Sequence, residues 1–212
     1  MDQAEAHRRY FDTQADSYDE YTAAGAWIPN EYLAGVLGKL VADKVEVRTA
    51  LDLGSGTGQT LEVVRAAFPH ATLWASDVSA AMLQRAAIRV PDAHFEVADI
   101  STHVAGLTES FDLVTAIGCL ELVSDLMDVL PRLIQHVHPG GHLALTIEPL
   151  IDGLGAERER SGDEQRWSNY WSTARVLQAL PGGELRSSHL FTAYQRADRP
   201  VIYELMLIRK AA

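Results

Sequence analysis

The run Leu51-Asp52-Leu53-Gly54-Ser55-Gly56-Thr57-Gly58 constrains this chain more than any other stretch. Thr49 to Leu53 is a short apolar strand, three alternate glycines follow, and Leu61, Val64, Ala67 and Phe68 then mark one helical face that Pro69 ends. A strand that runs through glycines into a helix opens an α/β unit. Glycine takes positive φ and lets a ligand or another backbone come close, and the helix N-terminus beyond it offers unpaired N–H groups. A glycine-rich turn with no ligand has the same spelling, so the rest of the chain must decide. A dinucleotide reading needs glycine at 59, where Gln59 stands, and a P-loop needs a following Lys, which is absent. A ligand carrying both a carboxylate and an amine suits the loop better, with the loop amides for the first and Asp52 for the second.

The alternation continues past the loop. Thr72 to Ser76 reads as a second strand ending in Asp77, and Ser79 is placed to cap a helix carrying Met82, Leu83 and Ala86. His94 to Val97 is a third strand ending at Asp99, and Phe111 to Ile117 a fourth, apolar enough to be buried on both faces. Leu126, Val129, Leu130, Leu133, Ile134 and Val137 have helical spacing, and Pro131 among them implies a kink or a restart. After Pro139-Gly140-Gly141, His142 to Ile147 forms a fifth strand. Repeated alternation of this kind predicts a parallel sheet with helices on both faces, and ligands at the carboxyl ends of its strands. His189–Gln195 and Val201–Arg209 fit a closing antiparallel hairpin joined through residues 196–200.

At 212 residues the chain is expected to be one domain: a cap over 1–30, a core over 31–150, a lid or insertion over 151–185 and a closing hairpin over 186–212. A net charge of −11 opposes a nucleic-acid partner, because phosphate binding needs a concentrated basic surface. Arg8-Arg9 reads as a solvated helix face. Cys119 is the single cysteine, which excludes an internal disulfide and a thiolate metal cage. No apolar run approaches the ~18 residues of a membrane span, and the expectation is a cytoplasmic protein without membrane partners, as monomer or homodimer.

With its acidic residue and G-x-G-x-G spacing, LDLGSGTG resembles the first motif of class I S-adenosylmethionine-dependent methyltransferases of the small-molecule type. The resemblance implies a Rossmann-like fold: a seven-stranded, mostly parallel sheet with helices on both faces and a C-terminal antiparallel hairpin. It also implies S-adenosyl-L-methionine as cofactor and S-adenosyl-L-homocysteine as product. Asp77 stands where the family binds both ribose hydroxyls, and Asp99 where it accepts from the adenine amino group, with Ile100 and Val78 or Met82 flanking the ring and Ala98 also in the cofactor set. The implied cofactor set is completed by Asp52, Gly54, Ser55, Gly56, Thr57, Gly58, Ile117, Gly118 and Tyr18, the last in a cap (Tyr10 to Asp19) that resembles the family's N-terminal cover. Thr146-Ile147-Glu148 and the segment from Ala193-Tyr194 to Tyr203 resemble a group related to the Williams–Beuren-region methyltransferases.

Such a reaction has no fixed catalytic constellation, because a base is needed only when the nucleophile arrives protonated. The acceptor is expected to be a small molecule methylated on O, N or C. Glu148 at the end of strand five, His7 in the cap and Glu121 after strand four are the candidate catalytic groups; Glu121 could instead begin a solvent-facing helix. Cys119, Tyr21, Trp27, Trp167, Tyr170 and Trp171 are candidate substrate-binding residues, the last three at helical spacing. His138 reads as a helix C-terminal cap, and Gly153 to Asp163 as part of a lid. Two other readings stay open: a cofactor-binding relative performing cyclisation or decarboxylation, and a nucleotide-dependent oxidoreductase.

Overall fold

In the computed structural model, described for residues 3–24, 27–151, 158–160, 167–195 and 200–212, the apolar runs pair where their periodicity predicts. β1 (Thr49–Leu53), β2 (Thr72–Asp77), β3 (His94–Val97), β4 (Phe111–Ala116) and β5 (Val137–Pro149) are parallel. β8 (Gly183–Gln195) and β9 (Pro200–Lys210) form the antiparallel hairpin, and β9 runs antiparallel to β5. The main sheet therefore reads β3-β2-β1-β4-β5-β9-β8. The direction of winding reverses between β1 and β4, which opens a crevice at their carboxyl ends.

Period-2 alternation sends neighbouring strand residues to opposite faces. Leu51, Val114, Leu143, Leu145, Met206 and Ile208 pack on one face under α6 (Ile100–Gly106), α7 (Leu126–Leu133) and α8 (Thr173–Gln178). Ala50, Leu113, Ala144, Leu205 and Leu207 pack on the other, under α3 (Pro29–Ala42), α4 (Gln59–Ala67) and α5 (Ala80–Arg89). Two short helices, α1 (Gln3–Gln14) and α2 (Tyr18–Ala24), precede this sandwich. No helix among the described residues is long and apolar enough to cross a membrane.

Several elements depart from the expectations. Trp167–Trp171 is not a helical turn but a strand, β7, whose Tyr170 and Trp171 pair with Glu148 and Pro149 at the end of β5. The aromatic spacing fits either period, and backbone pairing with β5 decides it, as aromatic residues suit strands well. β6 (Arg158–Arg160) pairs antiparallel with β7; the remainder of the expected lid, 152–157 and 161–166, lies outside the described residues. α7 runs through Pro131 without a restart, but stops two residues later in a 3-10 turn, Ile134–His136. His138 caps no helix; it lies within β5, its Nδ1 2.9 Å from Asp112 Oδ1.

Ser79 caps α5 as expected, its hydroxyl accepting from the Met82 amide at 3.1 Å and donating to Asp12 of α1 at 2.6 Å. Ser79→Ala removes both bonds at a fully buried position. The expected cost is about 1 kcal/mol, or a melting temperature about 2–4 °C lower for a domain of this size. An unchanged melting curve would refute the assigned cap.

Candidate functional site

The crevice between β1 and β4 is built by close backbone approach. Gly54, with φ +64°, lies so near Cys119 that an added Cβ would stand 2.5 Å from the Cys119 Cβ. Across the crevice Gly118 (φ +69°) lies under Trp27, where an added Cβ would fall 2.6 Å from the indole ring. The Gly118 amide donates to Thr146 Oγ1 of β5 at 2.7 Å, and the Cys119 thiol to the Leu53 carbonyl at 3.3 Å. Burial pushes the Cys119 thiol well above its usual range, so it stays protonated and serves as packing.

Beneath the glycine loop, Asp52 accepts hydrogen bonds from Ser55 Oγ and Thr115 Oγ1, both at 2.7 Å. Asp77, at the end of β2, accepts from the Gly56 amide and the Ser79 amide, each at 2.9 Å. Burial raises Asp52 to about 7 and Asp77 to about 6, against the opposing pull of those hydrogen bonds. The loop is thus shaped from below by two buried carboxyl groups, of which Asp77 also borders the open cavity.

The cap is tied to this loop and to α5 by three acidic residues. Asp12 receives Ser79 Oγ, Asp16 receives Arg85, and Asp19 receives Thr57 Oγ1 at 2.5 Å, Gln59 Nε2 at 2.8 Å and Arg89 Nη2 at 2.5 Å. Partial burial works to raise Asp19, but Thr57, Gln59 and Arg89 together hold it below the usual carboxylate range.

Two cavities lie under the cap. The first, about 400 Å³, is lined by Gly54, Gly56, Asp77, Val78, Met82, Ala98, Asp99, Ile100 and Gly118, with Tyr18, Phe11 and His7 from the cap and Cys119 from the β4 end. Most of the cofactor residues expected from the sequence thus surround one space. Asp52, Ser55, Thr57, Gly58 and Ile117 do not line it; they brace or pack the loop from behind. The second cavity, about 280 Å³, is lined by Tyr21, Trp27 and Glu121 among the expected residues, and by Tyr10, Gln14, Thr22, Tyr194, Gln195 and Tyr203 besides. Phe11, Tyr18, Gly118 and Leu122 line both.

Glu121 does not begin a solvent-facing helix. It sits in a 3-10 turn, Leu120–Leu122, and is 5% exposed, with the Tyr203 hydroxyl donating to its Oε1 at 2.6 Å. The Asn169 side-chain amide donates to its carbonyl at 2.9 Å. Burial and the Glu121 charge hold the Tyr203 phenol well above its usual range, so it remains a donor. Glu148, Tyr170 and Trp171 are buried but line neither cavity, and the Trp167 side chain lies outside the described residues. Sequence reasoning missed Tyr203, although its inward position on an alternating strand was legible, and Phe11 as a wall between the cavities.

The loop passes a simple test for a bound ligand. Gly56 (φ +53°) lines the first cavity, and a Cβ built on it meets no atom within 4 Å. Its absent side chain leaves open space that faces the cavity, bordered by the Asp77 carboxyl group.

Comparison with known proteins agrees with this architecture. Residues 51–143 match the methyltransferase domain family. Among curated relatives, a trans-aconitate 2-methyltransferase of Variovorax paradoxus is 39% identical over 100 residues, 47% of this chain and 38% of that protein. One of Methylobacterium radiotolerans is 38% identical over 135 residues, 64% of this chain and 50% of that protein. Relatives of this name are spanned over only 36% to 63% of their own length. Magnesium protoporphyrin IX methyltransferase of Synechocystis, solved with S-adenosylhomocysteine bound, has the same fold at a TM-score of 0.72 and 17% identity, covering 99% of this chain and 100% of that one. The Burkholderia thailandensis 1,6-didemethyltoxoflavin-N1-methyltransferase aligns at 0.70 and 19% identity, over 99% of this chain and 89% of that one. Strand order and glycine loop are thus those of a methyltransferase-type fold, and residues 51–143 are similar to a methyltransferase domain.

Proposed function

We propose that the chain binds S-adenosyl-L-methionine in the first cavity and methylates a small molecule held in the second. The observation that carries this reading is the pair of adjoining cavities with a common wall at Phe11, Tyr18, Gly118 and Leu122, directly beyond the carboxyl ends of β1 and β4. When bound, the cofactor supplies an electrophilic methyl group on a sulfonium. The chain's own part is to hold, orient and exclude water. Asp77 is placed to accept from a hydroxyl pair, Asp99 and the apolar Val78, Met82 and Ile100 to enclose a flat ring, and the open edge of Gly56 to admit the ligand's backbone-facing side. Aligning a nucleophile behind a methyl group can alone lower a barrier by roughly 7–11 kcal/mol. Glu121 lines the second cavity, where it could take a proton from an acceptor that arrives protonated, whereas His7 lines the cofactor cavity alone. Glu148 is buried and lines neither cavity, so it takes no direct part in this reading. The relatives named for trans-aconitate offer one acceptor to test.

Filling the cradle tests the cofactor half directly. Gly56→Val should abolish S-adenosylhomocysteine binding in calorimetry while the far-ultraviolet spectrum stays native. Asp77→Ala should cost about 1–3 kcal/mol of the same affinity, as expected for hydrogen bonds to a charged partner. Undiminished binding by both variants would sink the assignment.

Protonation adds a second test. A carboxyl group whose folded pKa is raised contributes stability below its unfolded value, near 3.9, and that contribution is lost as pH rises through the folded value. With Asp77 at about 6 and Asp52 at about 7, the free protein should lose stability between about pH 4 and 7, relative to an Asp52→Asn/Asp77→Asn variant. Because hydroxyl groups donate to the ionised form, S-adenosylhomocysteine affinity should rise over pH 5 to 7.5, and Asp77→Asn should flatten that slope. A falling affinity over this range would contradict the role given to Asp77.

A further inference from the structure

The second cavity is bounded by two sets of aromatic rings whose mutual geometry narrows what can lie between them. From the sheet side come Trp27, Tyr194 of β8 and Tyr203 of β9. Trp27 and Tyr194 stand 5.7 Å apart between centroids at a 32° tilt, and Tyr203 meets both edge-on, at 5.8 and 6.2 Å. Two rings near one orientation and a third across them make a corner. From the cap come Tyr10, Phe11 and Tyr18, where Phe11 meets Tyr10 edge-on at 5.1 Å and Tyr18 edge-on at 6.3 Å. The sheet-side corner is pinned by backbone. The Trp27 amide donates to the Thr22 carbonyl at 3.0 Å, and the Ile28 amide beside it donates to the Ala193 carbonyl of β8 at 3.3 Å. The indole itself lies against Gly118 with no room for a side-chain carbon between them, and Tyr203 is buried.

Rings that pack on one another and on backbone give little way to a thick ligand. A flat aromatic ring meets them by offset stacking and by edge-on contact, both of which need a π system on the ligand. A saturated ring of the same carbon skeleton is thicker and has no π face to offer. The position of the reacting atom follows from the partition: Gly118, Phe11, Tyr18 and Leu122 are where the two cavities meet, so a methyl group can pass only there. We infer that the second cavity takes a planar aromatic or heteroaromatic acceptor, its ring among Trp27, Tyr194 and Tyr203 and its methylated atom toward Gly118. This inference rests on the reading of the second cavity as the acceptor site. It selects acceptors by shape and ring character, whatever their charge.

The test is calorimetry on the full chain saturated with S-adenosylhomocysteine, so that the first cavity is filled. The probes are two uncharged alcohols of one carbon skeleton, planar 2-naphthol and saturated decahydro-2-naphthol, with trans-aconitate as a third. The planar alcohol should bind at least about tenfold more tightly than the saturated one. Trp27→Leu should lower that ratio by at least about threefold. Should Trp27→Leu fail to fold, Tyr10→Leu in the cap helix should lower the ratio by about twofold. Equal or tighter binding of the saturated alcohol, no binding of 2-naphthol, or a ratio that neither variant changes would overturn the inference and leave the cofactor site standing. Tighter binding of trans-aconitate than of 2-naphthol would overturn it as well. Failure to bind S-adenosylhomocysteine would overturn the function proposed for the fold.

Discussion

The functional edge depends on how closely two backbone turns approach one another. Where β1 ends, Gly54 lies against Cys119 with no room for a side-chain carbon, and where β4 ends, Gly118 lies against Trp27 in the same way. These contacts set the width of the crevice that the reversal in strand order creates. A side chain at either position would push the β1 and β4 ends apart or displace the indole that walls the second cavity. The small thiol at 119 belongs to the same constraint, since its hydrogen bond to the Leu53 carbonyl locks one turn to the other. Chemistry at this edge is thus secured by residues chosen for what they lack.

Charge is used in two distinct ways around that edge. Asp52 and Asp77 are buried, and their ionisation costs enough that both titrate near neutrality; each is tolerated because hydroxyl or amide donors meet it. Asp12, Asp16 and Asp19 are nearer the surface and join the cap to α4, α5 and the glycine loop. Exposed ion pairs such as Arg85 with Asp16 contribute little each. Asp19 is different in kind, because it gathers a hydroxyl, an amide and a guanidinium at one carboxyl group and so fixes the start of α2 on the loop. Much of the chain's acidity on its cap is therefore structural.

Between residues 49 and 149 the sequence displays its architecture openly, because strand and helix periods differ and each run is long enough to show one. The glycine loop, Asp77, Asp99 and the Ser79 cap follow from local spelling, and the convergence of the first three on one cavity follows from the parallel sheet. What could not be read is whatever depends on distant partners. Glu121 looks like a helix-opening residue until Tyr203, 82 positions later, closes over it. Trp167, Tyr170 and Trp171 fit a helical stripe and become a strand because the end of β5 presents a free edge. His138 meets Asp112 across the amino-terminal end of the sheet, an encounter fixed by strand register and not by any motif. The partners of Asp12, Asp16 and Asp19 lie 38 to 70 residues away, so the spacing of these three acids carries no sign of its purpose.

One feature of the cap reaches further than its contacts. Phe11 and Tyr18 belong to both cavities at once, and the two rings meet edge-on at 6.3 Å. The two chambers thus share one pair of aromatic rings as their partition, so that a shift of either ring changes the shape of both.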